Sequence, residues 1–240
     1  MQAILQSLTP KNTVVALSIF LTLLCTLILV EPHRPSAKDR MKSGKFSKPM
    51  NVILLLQLMH AYVFIRSMIA SGNVSKVTTF DGLINDPWCL TQLISVVVCI
   101  LSCLVRFRCY QNLGHMFTFS LAIRPKHKLV TDGVYSFVRH PSYTSLVVSL
   151  ASYYLSIFSC IHRFDLMQEY AQFLQPLIGT QDETRLLQML TGLGILNVAA
   201  FSAFFIHRIP QEEQMLSEEF KGRWKTYTKQ TPYRLFPIIH

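Results

Sequence analysis

The chain has 240 residues, half of them apolar and only 15% charged, with a formal net charge of +10. The apolar content is gathered into a few long runs, which argues against an ordinary soluble domain. The basic residues cluster beside those runs, so they read as a topology signal and an attraction for anionic membrane lipids, not as a nucleic-acid surface.

In chain order the runs are residues 13–30, 52–70, 89–105, 144–161 and 186–206, of 18, 19, 17, 18 and 21 residues. A spanning helix needs roughly 17–25 residues, and four of the five runs hold no Asp, Glu, Lys or Arg. The expected fold is an all-α polytopic membrane protein with about five transmembrane helices. The first run is too long for a signal peptide and ends without a small-residue cleavage site, so an uncleaved anchor is expected. Arg66 lies near the end of the second run and can snorkel.

Of 23 Lys and Arg, six fall in residues 31–51, six in 106–143 and six from Arg208 onward. Because basic residues mark cytosolic loops, this alternation puts the N-terminus outside or in the lumen and the C-terminus in the cytosol. The chain divides into a transmembrane region, 1–105, and a region carrying the candidate chemistry, 106–240. The six cysteines and eight histidines show no metal-ligand or disulfide spacing. There is no Gly-rich phosphate loop, no G-x-S-x-G elbow and no carboxylate pair inside a run, so hydrolase and P-loop chemistry are not supported.

Two segments stand out. In the first, HKLVTDGVYSFVRHPSY, Pro141 suits the first position of a helix. The amides of Ser142, Tyr143 and Thr144 would then point back toward the cytosol as an anion site, with Arg139 and His140 beside them. The Thr131-Asp132-Gly133 turn would fold His127–Val130 toward that helix end. An interfacial belt of Tyr and Arg accounts for the same residues, and both readings stand.

The second segment is RIPQEE, residues 208–213, where the last run ends. Pro210 predicts a helix break or kink, with Arg208 ending one helix, Glu212 in the first turn of the next, and Asn197 and Phe201 below Arg208 on its face. A plain positive-inside anchor is the other reading of Arg208. In the tail beyond, Leu216, Phe220, Trp224 and Tyr227 form one stripe of a helix that ends at Thr231-Pro232. That helix would lie on the membrane surface or pack over the span ends.

Together, HKLVTDGVYSFVRHPSY and RIPQEEQMLSEEFKGRWKTYTKQTPYRLFP resemble the isoprenylcysteine carboxyl methyltransferase family, over about residues 114–237. The resemblance implies an integral enzyme of the endoplasmic reticulum that uses S-adenosylmethionine to methylate the C-terminal prenylcysteine of processed CaaX proteins. It implies a cytosolic cofactor pocket between the loop before the fourth span and the C-terminal helix. Its cofactor contacts would be His127, Lys128, Leu129, Val130, Tyr135, His140, Pro141, Ser142, Tyr143 and Glu212, with Arg208 facing the substrate carboxylate as the catalytic and substrate-binding residue. Ser145 stands where relatives commonly carry Gly. Shorter pieces of the motif occur in phospholipid N-methyltransferases, whose amine nucleophile suits a facing Arg poorly, and in the larger, nicotinamide-dependent sterol reductases. A non-catalytic membrane scaffold is the alternative from another class.

Overall fold

The computed structural model describes residues 87–117, 123, 127–163, 179 and 182–237, and these residues contain helices and no strand. The expected spans at 13–30 and 52–70 lie outside them, as do the connectors around these spans and most of residues 164–181. The described chain holds α1 (Pro87–Leu113), α2 (Pro141–Arg163), α3 (Glu183–Phe220) and α4 (Gly222–Gln230), with short 3-10 turns at Gly114–Met116 and Gly133–Ser136.

Among the described residues, two helices are long and apolar enough to cross a membrane, at Leu90–Met116 and Thr184–Phe220. The third expected span of this half, α2, begins at Pro141, where the sequence places it. Along it Ser142, Ser145, Ser149, Ser152, Ser156 and Ser159 recur at alternating steps of three and four, and all are buried. On α1, Gln92, Ser95, Cys99, Ser102, Arg106 and Cys109 recur at the same steps and are buried as well.

These two stripes face one another. Cys99 Sγ donates to the Ser149 carbonyl at 3.9 Å, and Arg106 Nη1 donates to the Ser142 carbonyl at 3.1 Å. Seven residues forward on α1 thus match seven residues backward on α2, so the pair is antiparallel. Most of the serine hydroxyls are satisfied within their own helix, as Ser149 is by Leu146 and Ser152 by Val148. They therefore present small, already satisfied surfaces that let two backbones approach closely. The outward faces are the greasy ones: Leu93, Val97, Leu101, Leu104 and Phe107 of α1 are all exposed. Small and polar inside with large and apolar outside is the polarity of a helix pair solvated by lipid, the reverse of a water-soluble core.

Against the other side of α2 runs α3, again antiparallel. Tyr143 meets Phe205 at one end, and a Cβ on Gly194 would meet the Tyr154 ring at 3.2 Å at the other. An apolar groove of about 500 Å³ lies between the two helices at that second end, lined by Tyr154, Leu155, Phe158, Leu187, Ile195 and Val198 among others.

At 38 residues, α3 is about 57 Å long at 1.5 Å per residue. A hydrocarbon layer is about 30 Å thick. The apolar stretch to Ile206 accounts for that thickness, and the remaining turns project beyond it. Of the break or kink expected at Pro210, the break is corrected, because the helix passes through that residue. Proline removes one backbone donor and crowds the preceding turn. Here tertiary contacts on both sides of it, at Arg208 and at Glu212-Glu213, hold the helix on course. The chain breaks instead at Lys221, whose φ of 47° is followed by Gly222.

After that break α4 turns its stripe inward, with Trp224 and Tyr227 buried. Tyr227 Oη donates to the Tyr135 carbonyl at 2.7 Å. Of the two placements open for the tail helix, the structure gives the one packed on protein, over the turn that precedes α2. Gly133 opens that turn with a φ of +61°, in the left-handed region that glycine enters without penalty.

Candidate functional site

The site is built where the start of α2 meets the outer part of α3. Tyr143 in the first turn of α2 accepts a hydrogen bond from Arg208 Nε at 2.8 Å and donates one to Glu212 Oε2. Its ring is stacked between His140, at 5.5 Å and 3° between planes, and Phe205, at 4.4 Å and 22°. Arg208 and Glu212 lie four residues apart on one continuous helix, so they share a face. Arg208 is buried, with Asn197 and Phe201 buried further down the same helix.

Beside this cluster stands an ionic clasp. Arg139 Nε donates to Glu213 Oε1 at 2.7 Å, and Arg234 Nε lies 3.2 Å from Glu213 Oε2. His140 Nε2 is 3.3 Å from Glu213 Oε1, and because a carboxylate only accepts, the imidazole is the donor. Burial pushes the Glu213 carboxyl up, but the hydrogen bonds and charges of His140 and Arg139 outweigh it and bring its pKa down to about 2. Burial drives the Tyr135 hydroxyl the other way, well above the usual tyrosine range, with Cys109 and Glu212 adding to the effect.

The segment after α4 completes the clasp. Arg139 Nη1 donates to the carbonyls of Thr231 and Pro232 at 2.8 and 2.7 Å. The backbone N–H groups of Arg139 and His140 donate to the carbonyls of Tyr233 and Arg234, each at 2.9 Å. Thr144 Oγ1 donates to the Leu235 carbonyl at 2.5 Å. Residues 231–235 are therefore strapped across the N-terminus of α2.

One expectation is corrected here. The amides of Tyr143 and Thr144 are not an open anion site, because both donate to the His140 carbonyl, at 3.0 and 3.2 Å. The chain turns so tightly at Pro141 that the preceding carbonyl takes both of these amides.

Of the residues marked in the sequence, the structure joins His140, Tyr143, Arg208 and Glu212 in one cluster, with Pro141 at the helix start. Ser142 turns away, its hydroxyl and carbonyl bound by Arg106. Tyr135 is buried beneath α4. His127 packs its ring 5.9 Å from that of Phe220, farther out on α3. Lys128 is exposed, and its amide donates to Met116 Sδ at 3.1 Å. Leu129 and Val130 are half-buried, and no described contact ties them or Lys128 to the Tyr143 cluster.

Three features were missed in the sequence. Glu213 is the centre of the clasp, and its adjacency to Glu212 concealed which carboxylate did which work. Arg106 is 1% exposed, and its place on the small-residue stripe of α1 was the available signal. The strap at residues 231–235 had no signal beyond the proline that ends α4.

Comparison with known proteins gives two matches. The model of the isoprenylcysteine carboxyl methyltransferase (ICMT) family matches residues 93–162, which takes in most of α1, the turn and nearly all of α2. Protein-S-isoprenylcysteine O-methyltransferase B of Arabidopsis thaliana is 26% identical over 213 residues, covering 78% of this chain and 92% of the relative. The family model takes in the first motif segment and ends before the second, and with the relative it bears out the resemblance as a whole: the chain is similar to the isoprenylcysteine carboxyl methyltransferase family.

Proposed function

We propose that the chain transfers a methyl group from S-adenosylmethionine to the α-carboxylate of a C-terminal prenylcysteine in processed CaaX proteins. The observation that carries this reading is the meeting of Arg208, Tyr143, Glu212 and His140 at one point, beside a helix long enough to run from lipid into water. A lipid-anchored carboxylate has to be met at such a place.

The side chains present suit a cationic donor. Glu212, with its side chain 26% exposed, would offer a carboxylate to the donor's ammonium, with His140 and Tyr143 beside it; Tyr135 and the His127–Val130 segment are proposed as contacts on the resemblance alone. When bound, S-adenosylmethionine would supply a methyl group already activated on a sulfonium. The protein then has little bond-making to assist. A carboxylate is ionised at neutral pH, so no general base is needed. Arg208 would hold the acceptor through its terminal amino groups, with Nε engaged by Tyr143, because a planar guanidinium forks onto a carboxylate and fixes its plane. Alignment of this kind supplies up to about 7–11 kcal/mol of rate enhancement. With that donor bound, the methyl carbon would pass to an acceptor oxygen held by Arg208, and the electron pair of its bond to sulfur would stay behind on a neutral thioether. The ester formed carries no charge for Arg208, which favours its release into lipid.

The catalytic region is then 106–240, within a protein of five spans whose C-terminus is cytosolic in the endoplasmic reticulum membrane. Arg208 also weighs against a phospholipid N-methyltransferase, since a buried guanidinium repels an amine on its way to becoming a cation. Purified protein is to be given methyl-labelled S-adenosylmethionine with farnesylcysteine, with phosphatidylethanolamine, or with no acceptor. Label is expected in base-labile ester on farnesylcysteine alone. Label in phosphatidylethanolamine, or in neither, overturns the reading.

A further inference from the structure

Arg208 and Glu212 sit one turn apart, yet Arg208 Nε and Glu212 Oε2 are 4.0 Å from one another, too far for a direct hydrogen bond. The Tyr143 hydroxyl fills the interval. It receives the Arg208 proton at 2.8 Å and gives its own to Glu212. A phenol has a single proton to donate, so both faces of this small relay are spoken for. The ring that carries it is held between His140 and Phe205. Its oxygen cannot follow one partner without moving relative to the other.

We propose that Tyr143 is a positioning residue whose hydroxyl couples the acceptor subsite at Arg208 to the donor subsite at Glu212. The inference rests on the methyltransferase reading and deepens it, giving Tyr143 a role between the two ligands in place of simple donor contact. A carboxylate captured by Arg208 fixes the guanidinium, through it the phenol, and through the phenol the Glu212 carboxylate that the donor meets. A donor bound first orders the same chain from the other end. Each ligand therefore tightens the other, and the linkage is equal in both directions. An acceptor arriving without a donor finds a looser site, which suits an enzyme whose lipid substrate resides in the membrane at all times.

Tyr143→Phe tests this, because it keeps the ring and both stacking contacts and removes one oxygen. S-adenosylhomocysteine is titrated calorimetrically into the full-length protein in nanodiscs, with and without saturating N-acetyl-S-farnesylcysteine. In the wild type the acceptor is expected to tighten S-adenosylhomocysteine at least fivefold. In Tyr143→Phe that ratio is expected to fall below twofold, while both ligands still bind. Arg208→Lys, which keeps the charge but lacks the Nε–H, is expected to lose the coupling in the same way and guards against a folding defect in the first variant. A general structural weakening lowers both affinities and leaves their ratio intact, so the ratio is the reading that matters. A wild-type ratio near one, or a wild-type ratio preserved in both variants, overturns the coupling alone. Failure of the wild type to bind either ligand overturns the methyltransferase reading, and the coupling with it.

Discussion

Helix α2 serves two neighbours in opposite ways. Toward α1 it shows six serines whose hydroxyls are spent mostly on its own backbone, and the seam holds by closeness of approach. Toward α3 it shows His140 and Tyr143, whose polar atoms reach across to another helix, and that contact holds by specific donors and acceptors. One face is tolerant of chemistry and intolerant of size. The other is the reverse. A seam of small groups needs only periodicity, whereas a cluster of long side chains needs each partner to arrive at one place.

That contrast can be broken, and the largest effect is expected in the seam. Ser149→Leu forces bulk between two close backbones and should destabilise the protein by about 1–3 kcal/mol. Ser149→Ala should stay within about 0.5 kcal/mol, because the hydroxyl bonds its own helix. Thermal unfolding in detergent compares the two, and equal losses would remove close packing as the explanation. In the cluster, Arg208→Ala keeps the space but loses the fork. It should lower kcat/KM for farnesylcysteine at least tenfold, about 1.4 kcal/mol in the barrier, while S-adenosylhomocysteine affinity stays within about threefold. Turnover at the wild-type rate would take Arg208 out of the reaction.

Smaller effects are expected at the supports. Tyr227→Phe leaves the Tyr135 carbonyl without its donor and should cost about 1 kcal/mol in unfolding free energy. The clasp gives a pH signature whose sign follows from Glu213. Its carboxyl is lowered from an ordinary 4.5 to about 2 in the folded protein. The stability it contributes is therefore whole above pH 4.5 and lost as pH falls from there toward 2. Unfolding temperatures followed through that window should fall more steeply for the wild type than for Glu213→Gln, and parallel curves would show that the clasp is not what titrates.

The same contrast explains what could be read from the sequence. The start of α2 at Pro141 was legible because proline at a first helical position acts locally. The stripe of Leu216, Phe220, Trp224 and Tyr227 holds in part: Trp224 and Tyr227 turn inward on α4, but the helix ends at Lys221 and leaves Leu216 and Phe220 on α3, half-buried. The sequence already sets Arg208 and Glu212 in similar directions, and the continuous helix holds them there by its four-residue spacing. The break itself was misplaced: the local penalty at Pro210 was visible, and the distant groups that hold Arg208, Glu212 and Glu213 were not. The amides at the start of α2 were read as open for a like reason, since the turn that returns the His140 carbonyl to them is a matter of three-dimensional path. Glu213 and the strap are contacts between segments some 20 to 95 residues apart, and nothing local announces them.

The continuous course of α3 through Pro210 joins an apolar shaft to a polar head within one helix. A change in bilayer thickness that alters the tilt of such a shaft swings Arg208 and Glu212 as a pair against the fixed start of α2. The contact of Arg208 with Tyr143 is where such a change of tilt would be felt.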